Sequence, residues 1–187
     1  MDRAALRLAW AAAPDRGRRR EVSRRMLHGL LAEVGAEDAV IVQRCDRCGA
    51  RTHGPLRLSD APWLVSTSYA GPLAVVALLP RAAGVDALGL DAEPRIDAVR
   101  DAAGLRGVVA GGLAQWVRVE ATLKADGRGV AVPPHAVEIT TEAGGWTARV
   151  PGVGERFHGW EPDGPPGVLV SVAVREAAGA SSRRATG

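Results

Sequence analysis

Ala87-Leu88-Gly89-Leu90-Asp91-Ala92-Glu93-Pro94, followed after a glycine-broken link by Leu113-Ala114-Gln115-Trp116-Val117-Arg118-Val119-Glu120-Ala121-Thr122-Leu123-Lys124, is the stretch from which the fold reads most directly. The first part predicts a short strand over 87–92, stopped by Pro94, which has no amide proton to give a ladder. The second predicts a helix over 113–124, ended by Asp126-Gly127. Working upstream, residues 6–13 read as a strand, and Pro14-Asp15 opens a helix over 16–34 whose Val22, Met26, Leu27, Leu30, Leu31 and Val34 recur at helical spacing. Residues 39–45 read as a strand, and 63–68 with 73–79 as a hairpin turned at Tyr69-Ala70-Gly71-Pro72, its second arm apolar enough to be buried on both faces. Downstream, strands are predicted at 136–140, 146–150, 155–160 and 168–174. The order strand, long helix, strands occurs twice. It predicts an α+β fold of two pseudo-symmetric halves, residues 1–85 and 86–175, each a long helix packed on a small antiparallel sheet, with 176–187 as a disordered tail.

Composition narrows the class. At 187 residues, 47% apolar and 24% charged, the chain can bury a globular core. No apolar run approaches the roughly 18 residues of a membrane span, and no apolar leader follows Met1, so a cytoplasmic protein without a membrane partner is expected. Two cysteines make no disulfide framework. The net charge of +3 is too mild to imply nucleic-acid binding. Arginine stands almost everywhere a lysine could, and Lys124 is the single lysine of the chain. The first helix opens with Arg18, Arg19, Arg20, Arg24 and Arg25, the wrong sign for the positive end of its dipole. They read as a solvated face, with a dock for phosphates or an acidic protein as the functional alternative.

Candidate chemistry gathers around that lysine. Asp91 and Glu93, two apart on a strand, project from one face. Trp116, Glu120 and Lys124 lie at i, i+4 and i+8, along one stripe of a helix. Oxygen donors without histidine suit magnesium, with Asp91, Glu93 and Glu120 as ligands. The plainer alternative is an exposed acidic pair beside an i, i+4 salt bridge. Cys45-x-x-Cys48-Gly49 with His53 has the look of half a zinc knuckle, but no second cysteine pair exists, and reduced structural cysteines at a turn are the favoured reading over a site completed by His28 or His135. No G-x-S-x-G elbow supports a serine hydrolase. The five tryptophans read as core.

Taken in order, Gly89-Leu90-Asp91-Ala92-Glu93 and Trp116-Val117-Arg118-Val119-Glu120-Ala121-Thr122-Leu123-Lys124 resemble the paired signature of the 4′-phosphopantetheinyl transferase superfamily, surfactin-type, in which one chain forms two halves. Ser66-Thr67-Ser68 is similar to its S-H-S element and His53-Gly54-Pro55-Leu56 to its G-K-P element. The resemblance implies an active site in a cleft between the halves and a magnesium-dependent transfer of 4′-phosphopantetheine from coenzyme A to a serine of an acyl or peptidyl carrier protein. Fatty-acid, polyketide or nonribosomal peptide pathways would supply that acceptor. It implies Asp91, Glu93 and Glu120 as magnesium ligands, Glu120 as base toward the carrier serine, and Lys124 as the cation that neutralises phosphate charge. Ser66, Thr67, Ser68 and Lys124 would bind coenzyme A, with Arg57 and Arg118 in place of missing anchors. The family histidine is Thr67 here, the lysine of G-K-P is Pro55, and the lysine before the glutamate is Val119. A monomer is expected. The alternative is a non-catalytic relative of the same fold that serves as a binding or scaffolding partner.

Overall fold

A computed structural model describes residues 2–81, 84–96 and 111–176. The predicted link after Ile96 and the predicted tail after Glu176 lie outside the described residues. The strands are β1 (Arg7–Ala12), β2 (Val40–Gln43), β3 (Leu56–Ser59), β4 (Trp63–Ala70), β5 (Leu73–Pro80), β6 (Val85–Pro94), β7 (Glu138–Glu142), β8 (Gly145–Arg149), β9 (Phe157–Trp160) and β10 (Val168–Glu176). Two long helices, α1 (Arg19–Glu33) and α2 (Gly112–Asp126), complete the frame. The class is mixed α+β, with three antiparallel sheets ordered β1-β5-β4, β6-β10-β9-β8-β7 and β2-β3.

Alternation along the strands explains the layering. On β5, Val76 and Leu78 meet Leu27, Leu30 and Leu31 of α1, while Val75, Ala77 and Leu79 face the other way. The central strand of its sheet is therefore buried on both sides, as its continuous apolar run predicts. The outward-turned residues form a shared core with Leu88, Leu90, Val170, Val172 and Val174 of the five-stranded sheet. The opposite face of that sheet packs Trp146, Ala148, Phe157 and Ala173 under Val119, Ala121, Leu123 and Ala125 of α2. The two main sheets thus lie face to face between the two helices. Each fully buried Leu, Val or Phe adds about 1.5–3 kcal/mol to that sandwich.

Several boundaries differ from the sequence expectations. β3 was not expected: four residues give too short an alternation to read, and Leu56 and Leu58 find their apolar surface only in the α1 cluster, alongside Ile41 of β2. β6 extends beyond 87–92 at both ends, because Val85 pairs with Glu176 and Pro94 with Val168 on β10. Trp10, on edge strand β1, is 44% exposed, so the reading of all five tryptophans as core fails for that residue. No helix among the described residues is long and apolar enough to cross a membrane.

Gly89 fixes the distance between β6 and α2. A Cβ at this position would sit 1.9 Å from the Ala121 carbonyl oxygen and 2.6 Å from the Ala125 nitrogen. The helix backbone therefore rests directly on the strand, which brings the neighbouring Asp91 within reach of Lys124.

Candidate functional site

β4 and β6 are the edge strands of the two main sheets, and they meet without forming a ladder. Two serines satisfy the β6 edge instead: Leu90 N donates to Ser66 Oγ at 2.9 Å and Ala92 N to Ser68 Oγ at 3.2 Å. Buried amides require such partners. The Ser-x-Ser spacing on β4 matches the alternate outward amides of β6, since both follow a period of two.

Lys124, from the last turn of α2, closes the same junction. Its ammonium donates to Asp91 Oδ1 at 2.7 Å, to Leu90 O at 2.9 Å and to Ser68 Oγ at 3.0 Å. Ser68 in turn donates to Asp91 Oδ1 at 2.9 Å. All three ammonium protons, and the one hydroxyl proton and both lone pairs of Ser68, are engaged. Three divergent acceptors around one point suit a compact ammonium; the flat guanidinium of arginine presents its donors in a plane. That geometry accounts for a lysine at this position in an arginine-rich chain.

The acidic groups stand around this knot. Asp91 is 4% exposed, and its Oδ2 is buried with no hydrogen-bond partner among the described residues. Glu93 Oε1 accepts from the Trp116 indole N–H at 3.2 Å, one turn of α2 before Glu120. Burial, and then the negative charge of Asp91, push the Glu120 carboxyl above the usual range; Glu93 adds to the rise and Lys124 opposes it. The helix therefore runs antiparallel to the strand, with Trp116 over Glu93 and Lys124 over Asp91. An orphaned carboxylate oxygen beside a carboxyl that resists ionisation is a donor set suited to a hard cation. Among the described residues, however, the one group of His, Cys, Asp or Glu whose ligand atoms all lie within 4.8 Å of one another is Cys45, Cys48 and His53. The oxygens of Asp91, Glu93 and Glu120 are spread more widely than that.

A cavity of about 420 Å³ opens beside the knot, lined by Glu120, Lys124, Ser66 and Thr67 together with Gln43, Gly54, Pro55 and the turn that follows α2. Ser68 and Asp91 stand behind Lys124 rather than on the cavity wall. Arg57 grips Asp46 through two hydrogen bonds, at 2.8 and 3.1 Å, and borders an adjoining cavity of about 320 Å³ that Lys124 also lines. Arg118 lies elsewhere: its guanidinium is held by Glu161 Oε1 at 2.7 Å and Thr141 Oγ1 at 3.1 Å. At 100° per residue it points 160° away from Glu120 around the helix, so adjacency in sequence does not bring it to the cavity.

The arginine cluster at the start of α1 divides: Arg18, Arg20 and Arg25 are exposed, as a solvated face would be, whereas Arg19 and Arg24 are half-buried. Arg19 bonds the carbonyls of Ala13 and Gly71, Arg20 bonds that of Arg51 at 2.6 Å, and Arg24 bonds Ile41 O at 3.0 Å and Gln43 Oε1 at 3.2 Å. They strap the helix to neighbouring loops and to β2. Arg18 and Arg25 both reach Glu21.

Gln43 and the segment from Gly127 to Pro134 contribute cavity wall that sequence reading did not single out. Only Asp126-Gly127, read as a helix stop, hints that the chain turns back there. Compared with known proteins, the chain matches no family model, and no curated protein is significantly similar to it.

Proposed function

We propose that this chain is a cytoplasmic 4′-phosphopantetheinyl transferase, built of two pseudo-symmetric halves around the cleft, acting on coenzyme A and an acyl or peptidyl carrier protein. The observation that carries the reading is the pairing of Glu120 and Lys124 on the wall of one cavity, with Asp91 directly behind the ammonium. In the transfer, the carrier serine oxygen bonds to the phosphorus that bears the pantetheine arm. The bond from that phosphorus to the bridging oxygen breaks, and 3′,5′-ADP leaves. Glu120, its carboxyl raised toward the operating range of a general base, takes the serine proton. Lys124 offsets negative charge on the departing phosphate, for which it must release one of its three present acceptors. Asp91, Glu93 and Glu120 would hold magnesium, which supplies charge neutralisation on the pyrophosphate when bound. Ser66 and Thr67 line the cavity available to coenzyme A.

Incubation with coenzyme A, magnesium and a panel of apo carrier proteins tests this. One phosphopantetheine of added mass on a carrier supports the proposal, and no added mass on any carrier refutes it.

A second reading, a non-catalytic binding relative, draws on the full internal engagement of Lys124 and on Pro55, Thr67 and Val119 at positions where phosphate anchors would stand. Coenzyme A binding without transfer would favour it.

A further inference from the structure

Residues 44–55 join β2 to β3 by an excursion far longer than the two to five residues of an ordinary hairpin loop. None of these residues is buried, so no apolar core holds the loop in place. What the loop does hold together is a constellation of soft ligands. Cys45, Cys48 and His53 bring their ligand atoms within 4.8 Å of one another, and Cys48 Sγ lies 3.3 Å from His53 Nε2. Both cysteines are free thiols.

The geometry suits a tetrahedral thiophilic ion. With metal–sulfur bonds of about 2.3 Å and metal–nitrogen bonds of about 2.05 Å, tetrahedral angles put sulfur and nitrogen roughly 3.6 Å apart and two sulfurs roughly 3.8 Å apart. The observed spacing needs only a small adjustment to reach those values. The other histidine nitrogen, Nδ1, faces Thr52 Oγ1 at 3.4 Å, the kind of outer contact that orients a ligating ring. The backbone is folded for the purpose as well. Gly49 N donates to Cys45 O at 2.8 Å and Cys45 N to Ala50 O at 2.9 Å, which closes the turn between the two cysteines. Gly54, at φ +98°, lets the chain double back over Arg44, where a Cβ would come within 2.6 Å of the carbonyl oxygen. That close return places His53 opposite the cysteines. The backbone amides of Cys48 and Arg47 also face the Cys45 sulfur.

We infer that Cys45, Cys48 and His53 bind a thiophilic divalent cation, zinc in the first instance, with a solvent molecule in the fourth position, and that the ion staples the β2–β3 loop. This site is separate from the oxygen donors of the cleft and does not depend on the transfer reading. The staple matters to the cleft because Gly54 and Pro55, immediately after His53, form part of the cavity wall.

Cobalt titrated into the full-length, reduced protein under anaerobic conditions reads the site directly. One equivalent should give a sulfur-to-cobalt charge-transfer band and the intense visible bands of tetrahedral cobalt, both abolished by added zinc. Cys48→Ser and His53→Ala should each weaken binding at least about 100-fold, since even an outer contact costs 10–100-fold. His53→Cys should retain binding, because it keeps three soft ligands. Both altered positions are exposed, and an unchanged far-ultraviolet circular dichroism spectrum shows that the variants fold. Independently of any variant, zinc should slow hydrogen exchange across residues 44–55. Absence of the charge-transfer band, or undiminished affinity in His53→Ala, would overturn the inference.

Discussion

Replacing Lys124 by methionine keeps the aliphatic stem and removes the ammonium, so it isolates the knot between β4, β6 and α2. Asp91 then loses its cation in a site where its side chain is 6% exposed, keeping only the Ser68 hydroxyl on Oδ1. Removing one partner of a buried pair costs about 3–5 kcal/mol. The Lys124 side chain is 32% exposed, so water screens part of that interaction, and about 2–3 kcal/mol is the fairer figure. Leu90 O loses a donor as well, at a cost of about 1 kcal/mol when water can reach it. The total is roughly 3–4 kcal/mol, a substantial share of the ~5–15 kcal/mol that stabilises a typical domain. For a chain of this size that corresponds to a fall of roughly 6–16 °C in Tm. Urea unfolding of wild type, Lys124→Met, Asp91→Asn and the double variant closes a thermodynamic cycle. Coupling between the two sites should be at least about 1.5 kcal/mol, well outside the additivity expected of independent positions. A loss below about 1 kcal/mol in Lys124→Met, or additive single effects, would refute the idea that this lysine joins the sheets.

Three other variants probe the same geometry. Because burial and Asp91 raise the Glu120 carboxyl above its ordinary 4.5, its ionisation destabilises the fold as pH rises through the unfolded value and then the raised folded one. Glu120→Gln should therefore increase Tm at pH 7, with the gain vanishing below about pH 4 in a thermal-shift series; an unchanged or lower Tm at pH 7 would contradict the buried, acid-flanked carboxyl. The same variant should lose transfer activity while keeping its fold; full activity would remove Glu120 from the mechanism. Gly89→Ala should cost at least about 3 kcal/mol in denaturant unfolding, since α2 must move off the strand to admit the methyl group. A near-neutral effect there would contradict the close approach. Trp116→Phe should cost about 1–2 kcal/mol through the lost hydrogen bond to Glu93, and unchanged stability would show that the indole does not anchor that carboxylate.

Much of this site is legible in the sequence because it rests on two local periods. Asp91 and Glu93 share a strand face, and Trp116, Glu120 and Lys124 share a helix stripe; stacking one against the other pairs Lys124 with Asp91 and Trp116 with Glu93. The lone lysine in an arginine-rich chain marks where a compact three-donor group is needed. Other features are set by tertiary packing and leave little local trace. Arg118 sits beside the stripe in sequence, yet the helical turn carries it to Glu161. The bonds of Arg20 and Arg24 to Arg51 O and Ile41 O leave no trace in the sequence, because a backbone carbonyl has no residue-type signature. Gly89 is visible as a glycine, but its reason, a helix backbone in contact with the strand, lies outside its own segment. β3 is too short to announce itself, and only the α1 cluster explains why Leu56 and Leu58 are strand residues.

Titration calorimetry of coenzyme A against the full chain, with magnesium and again with a chelator, bears most directly on the cleft as a site for a metal-bridged pyrophosphate. Binding of one equivalent that weakens at least about tenfold without magnesium, and that is lost in Asp91→Asn, is the expected result. Absence of coenzyme A binding, or binding indifferent to both magnesium and Asp91, would contradict it.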